Sequence, residues 1–257
     1  MKISKTISLS NSLSSKFRSA VVALFVLIPT LCLGKGISEG TDYVKILEVE
    51  NPAQSMEVIE FFSIGCKYCP PFKSMMEKWR AVDGKEISYR RVPVVLSLEG
   101  KGLSPSVNNA RAYYIAQALK ILPQAEPVLD KAVAEDKNAL NTAEKITAIF
   151  TGMGVPPGKV KMKFDSFEVQ SNIRVAIALT DLLFLRTKHF KSEVTKPYLV
   201  DRKYLLANDP ISREIEHHGA GTPMLVINRK FKTNLRMAKG DESRLLQIVN
   251  HLIKKDF

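Results

Sequence analysis

Two of the chain's three cysteines stand together as Cys66-Lys67-Tyr68-Cys69, between an apolar run and a stretch of helical periodicity. The pair closes too small a loop to stabilise a fold much, because the entropy a cross-link removes from the unfolded chain grows with loop length. It is therefore read as a pair that reacts. A thiolate is the attacking species in disulfide exchange. Cys66 follows Gly65 and opens a helix, where unpaired N–H groups and the helix dipole favour an anion. Lys67 adds a nearby cation. Cys69, one turn further in, is expected to face the core as the resolving thiol.

The third cysteine, Cys32, lies in a stretch that reads as an export leader. Residues 1–18 carry Lys2, Lys5, Lys16 and Arg18 and no acid, an apolar run follows over 20–28, and Gly34 and Gly36 offer small-residue cleavage sites after 34 or 36. The run is short for a bilayer-spanning helix, which needs about 20 residues. Bulky Leu31 before Cys32 disfavours lipid attachment there. Export to an oxidising compartment, a periplasm, follows as an expectation, and there C-x-x-C chemistry can be that of a disulfide catalyst.

Removing the leader's positive charges lowers the formal net charge from +12 to about +8, spread along the chain. That excess favours encounter with acidic surfaces. No basic-aromatic motif accompanies it, so nucleic acid is not an expected partner. A structural zinc site needs four ligands. The mature chain offers two cysteines and four scattered histidines, His189, His217, His218 and His251, so neither a metal nor another cofactor is expected.

Periodicity predicts a buried strand over 56–62 and a helix from Lys67, with Phe72, Met75, Met76 and Trp79 on one face and Asp83-Gly84 at its end. A β-branched strand spans 87–96, with Pro93 at its end or at a bulge. Helices follow over 109–122, 128–134 and 142–150, cut by Pro123 and Pro127. Pro156-Pro157-Gly158 reads as a turn, and 164–185 contains a helix, apolar enough over 175–185 to be buried. The segment 186–218 is charged and unassigned. A strand at 224–227, a turn at 228–230, a paired strand at 231–235 and an amphipathic helix over 241–254 close the chain, the helix turning Leu245, Leu246, Val249, Leu252 and Ile253 inward.

Two further signals bear on chemistry. Glu60 sits between Ile59 and Phe61, where a carboxylate is costly unless it is paired or has a task. Near Cys69 it would carry protons for the resolving thiol; on an edge strand it would face solvent. Gly219-Ala220-Gly221-Thr222-Pro223 precedes a strand, and a proline there can leave a backbone edge free for an extended peptide.

Taken together, these residues resemble the thioredoxin superfamily, and more closely the DsbA family of bacterial thiol–disulfide oxidoreductases. The matching parts are Glu39-Gly40-Thr41-Asp42-Tyr43, Glu60-Phe61-Phe62-Ser63 leading into the dithiol, the helical block, Phe164-Asp165-Ser166 and the Gly-Thr-Pro before a strand. The resemblance implies an α/β thioredoxin fold interrupted by an inserted helical domain. It implies Cys66 as accessible nucleophile, Cys69 as buried partner, Glu60 as buried acid and Pro223 as a cis proline facing the disulfide. The chain departs from the family in carrying Lys67-Tyr68 where the best-known member has Pro-His. It also has Thr222 where the oxidases usually carry Val and the isomerases commonly carry Thr, and 186–218 is longer than the pattern requires.

The expected organisation is a signal peptide at 1–34, a first thioredoxin half at 35–100, a helical insertion at 101–216 and a second half at 217–257. The expected function is donation of the Cys66–Cys69 disulfide to reduced exported clients, with Thr222, Pro223, Lys67 and Tyr68 touching the client. A DsbB-type membrane quinone oxidoreductase would re-oxidise the pair. Isomerase or reductase action, or a redox-inactive peptide-binding chaperone, are the alternatives. Residues 37–54 are too short for the dimerisation module of dedicated isomerases, which favours the oxidase; a monomer is expected.

Overall fold

The computed structural model describes residues 36–46, 53, 55–95, 105–181 and 221–255. The expected leader with Cys32, the segment 186–218 with His189, His217 and His218, and Gly219-Ala220 lie outside the described residues. The chain divides into Met1–Gly36 and Ile37–Phe257, and every described helix and strand belongs to the latter.

A five-stranded sheet runs in the order β1-β5-β4-β2-β3. Its strands are β1 Val44–Lys45, β2 Glu57–Phe62, β3 Ser88–Pro93, β4 Met224–Ile227 and β5 Phe231–Thr233. β2 pairs parallel with β3 and antiparallel with β4, while β5 runs antiparallel to both β4 and β1. β2, hydrogen-bonded to β4 on one side and β3 on the other, is buried along its whole length, as its mostly apolar residues demand of a strand covered on both faces. β1 was not foreseen; two residues are too few to show a period.

One face is closed by α1 Cys69–Val82 and α7 Glu242–Lys254. Phe72, Met75, Met76 and Trp79 of α1 join Val58, Leu225, Ile227 and the α7 residues Leu245, Ile248, Val249, Leu252 and Ile253 in one apolar cluster. Ile248 is a core residue that the periodicity omitted, and Leu246 is only partly buried. Trp79 donates its indole N–H to Asn250 Oδ1 at 2.9 Å, tying the two helices together.

Between β3 and β4 the chain builds α2 Pro105–Ala118, α3 Leu122–Glu135, α4 Ala143–Gly152, α5 Pro157–Phe164 and α6 Phe167–Leu179. These helices share a second cluster with Ile59, Phe61, Met224 and Val226 from the other face of the sheet. Thr142 and Ser166 cap α4 and α6 with their hydroxyls. Three readings change here. α3 begins at Leu122, with Pro123 in the first turn, and runs through Pro127. A proline inside a helix costs about 3 kcal/mol, and full burial of Ala125 and Leu129 offsets it. Pro156-Pro157 starts α5 instead of making a free turn, because a helix's first N–H groups need no partner. Val175, expected inside, is 47% exposed, while Val169, Ile173 and Ala176 are the buried residues of α6.

Candidate active site

The dithiol sits where β2 ends and α1 begins. α1 starts at Cys69, two residues later than the helix predicted from Lys67, so Cys66 lies in the turn three residues ahead of the helix. Gly65 turns the backbone with φ +77°, a region open to glycine. The Cys66 N–H donates to Ser63 O at 3.2 Å and the Cys69 N–H to Cys66 O at 3.1 Å. Pro70 and Pro71 fall in the first turn of α1, where no N–H is missed.

Both cysteines are free thiols, Cys66 half-buried and Cys69 2% exposed. A hydrogen bond from the Cys69 thiol is the largest influence on Cys66. With help from the Thr222 hydroxyl and the N–H groups of Tyr68 and Cys69, and against burial, it pulls the Cys66 thiol down to about 6. The same contact, with burial, pushes Cys69 well above the ordinary thiol range. The two sulfurs thus differ as a nucleophile and its reserve partner must.

Thr222 arrives at Cys66 by register. β2 and β4 pair antiparallel with Phe61 opposite Met224, so continuing two residues past that pair sets Ser63 against Thr222. The Thr222 hydroxyl donates to Ser63 Oγ at 3.3 Å, and the Cys66 thiol donates to the Thr222 carbonyl at 3.4 Å. The Thr222–Pro223 peptide bond is cis. Lys67 and Tyr68 are exposed beside the sulfur, Tyr68 by 62%, with Lys67 Nζ 4.8 Å from the Tyr68 ring centre.

Glu60 is fully buried, which excludes the solvent-facing alternative. It stands opposite Arg91 in the parallel β2–β3 ladder. Arg91 Nε donates to Glu60 Oε1 at 2.9 Å, and the Tyr89 hydroxyl donates to Glu60 Oε2. Arg91 also pairs with Glu126 of α3, which Lys73 of α1 reaches at 2.6 Å. Burial pushes the Glu60 carboxyl up, opposed by Arg91 and Tyr89. Tyr89, Arg91 and Glu126 were not singled out from sequence. The charged pair Arg90-Arg91 inside a strand was the available signal; Glu126 on α3 had none. Among the described residues, no three His, Cys, Asp or Glu side chains gather as a metal site.

A β-sheet of this topology, interrupted after β3 by a helical domain and carrying a dithiol at the first helix, defines a thioredoxin fold with a helical insertion. Structural comparison agrees. DsbA of Pseudomonas aeruginosa superposes with a TM-score of 0.60 at 18% identity, covering 85% of this chain and 94% of that one. No family model matches the chain. In sequence, the thiol:disulfide interchange protein DsbA of Burkholderia cepacia is 30% identical over 131 residues, spanning 51% of this chain and 59% of that protein. The protein of the same name from Azotobacter vinelandii is 23% identical over 223 residues, 86% of this chain and 85% of that one. The chain is thus similar to the DsbA thiol:disulfide oxidoreductases, in fold over most of its length and, at 30% identity, in sequence over about half of it.

Proposed function

We propose that the protein is a periplasmic oxidase that passes the Cys66–Cys69 disulfide to folding exported proteins. A client thiolate attacks the Cys66 sulfur; the Cys66–Cys69 bond breaks, and Cys69 leaves and takes a proton. A second client thiolate attacks the client sulfur of the mixed disulfide and releases Cys66 as a thiolate. The client gains a disulfide, the enzyme becomes a dithiol, and a DsbB-type quinone oxidoreductase removes the two electrons and two protons. The observation that carries this reading is the opposite displacement of the two thiols. With Cys66 acidified to about 6, its thiolate is a good leaving group, which drives transfer toward the client.

Glu60 serves as the buried acid for Cys69; burial raises its carboxyl above the ordinary range, which favours its holding a proton. Thr222, Pro223, Lys67 and Tyr68 meet the client, and backbone pairing beside Thr222 tolerates many client sequences. Residues 1–34 act as a cleaved leader, 35–100 and 217–257 as the thioredoxin halves and 101–216 as the insertion of a monomeric enzyme. Isomerase or reductase action is the second reading, favoured by Thr222 before the proline. Equilibration with glutathione buffers separates the two. The oxidase requires a potential nearer the about −120 mV of a strong oxidant than the about −270 mV of thioredoxin, and a value near the latter overturns it.

A further inference from the structure

The inserted helical domain touches the active-site turn directly. The Asp130 carboxylate of α3 accepts the Gly65 N–H at 2.8 Å, and Gly65 immediately precedes Cys66. The same helix closes over Gly65 from above. A Cβ built there would stand 2.7 Å from Val133 Cγ1 and 3.3 Å from the Ala134 N, so no larger residue fits under α3. One turn before Asp130, Glu126 locks α3 to Lys73 of α1 and Arg91 of β3. The Gly65 amide is thus held by an acceptor on a helix that is itself anchored to α1, which follows the dithiol, and to β3.

We propose that Asp130 is a positioning residue for disulfide exchange, acting through the Gly65 amide to aim the Cys66 sulfur; this rests on the reading of Cys66 as the exchanging nucleophile. The Gly65 backbone angles set the direction in which Cys66 projects. In the observed turn the sulfur meets the N–H groups of Tyr68 and Cys69 and the Thr222 carbonyl. Without its acceptor, the part-buried Gly65 N–H would lose its partner, and the turn would rotate to re-pair it. The sulfur would then leave its donors. Burial pushes the Asp130 carboxyl up, and the Gly65 N–H opposes this, with Glu126 raising it further and Arg91 and Lys73 lowering it. The carboxylate's charge acts against its geometry: a nearby anion disfavours a thiolate. Positioning and charge therefore predict opposite signs when Asp130 is replaced.

Thiolate absorbance is titrated in the reduced full chain for wild type, Asp130→Ala, Asp130→Asn and Asp130→Glu, with a thermal melt of each. Asp130→Ala removes the acceptor and is expected to raise the Cys66 pKa by about 1, leaving about tenfold less thiolate at pH 5. Asp130→Asn keeps an acceptor oxygen without the charge and is expected to titrate at or below wild type. Asp130→Glu keeps the charge but displaces the acceptor and is expected to raise the pKa, and it decides the matter with Asn if the alanine variant does not fold. The inference is overturned if all neutral variants lower the pKa, which is charge alone, or if no variant moves it, which is scaffold alone. A wild-type Cys66 titrating like a free thiol sinks the oxidase reading itself, before any comparison of variants.

Discussion

Reduced wild-type protein is expected to gain folding stability over a Cys66→Ser variant as pH rises from about 5.5 to 8.5. The folded Cys66 thiol titrates at about 6, against about 8.5 in an unfolded chain. The folded state therefore favours the thiolate. That stabilisation is fully present above the unfolded value and is lost as pH falls through about 6. The full difference corresponds to about 3 kcal/mol. Cys66 is only half-buried, so solvent screening cuts this to about 2 kcal/mol. For a chain of this size that is about 4–8 °C in Tm. Lys232, which burial pulls down to about 7, also makes stability rise with pH here, because the folded state binds fewer protons than the unfolded chain. It is present in both proteins and cancels in the difference, and Cys69 stays neutral throughout. The assay is urea unfolding of both proteins under reducing conditions at several pH values. A difference that is flat, or that falls with pH, refutes the claim that the fold stabilises the Cys66 thiolate.

Limiting iodoacetamide at pH 6.5 is expected to label Cys66 at least about tenfold over the buried Cys69, read by peptide mass mapping; equal labelling would mean that the turn opens freely. Glu60→Gln weakens the buried pairing with Arg91 and is expected to cost about 1–3 kcal/mol in urea unfolding and to slow client oxidation at pH 7. An unchanged rate would place Glu60 outside the chemistry. Gly65→Ala puts a Cβ at positive φ and against Val133, and is expected to cost about 2–4 kcal/mol; a loss under about 1 kcal/mol would show that α3 yields. Thr222→Val removes a hydroxyl donor near the Cys66 sulfur and is expected to raise its pKa and make the potential more reducing, with stability within about 1 kcal/mol of wild type. A potential equal to wild type counts against a role for the hydroxyl.

What could be read from the residues was local. The apolar run at 56–62 had to be a buried strand, Phe72, Met75, Met76 and Trp79 had to line one face of a helix, and Cys66 and Cys69 had to lie at its start, because strand and helix periods act over a few residues. The cost of an isolated carboxylate marked Glu60 as unusual without saying what it meets. Pro127 misled for the same reason: a helix-breaking residue is judged by its neighbours in sequence, whereas α3 survives it through burial of Ala125 and Leu129 against distant elements. Only the tertiary structure set Arg91 beside Glu60, through the parallel register of β2 and β3, and Thr222 beside Cys66, through the antiparallel register of β2 and β4. It alone laid α3 over Gly65, bringing Asp130 to the active-site turn. Those contacts join segments with no shared periodicity. They exist because two apolar faces, one of the sheet and one of the helical insertion, must bury each other, and side chains at the seam then find whatever partner the packing sets opposite them.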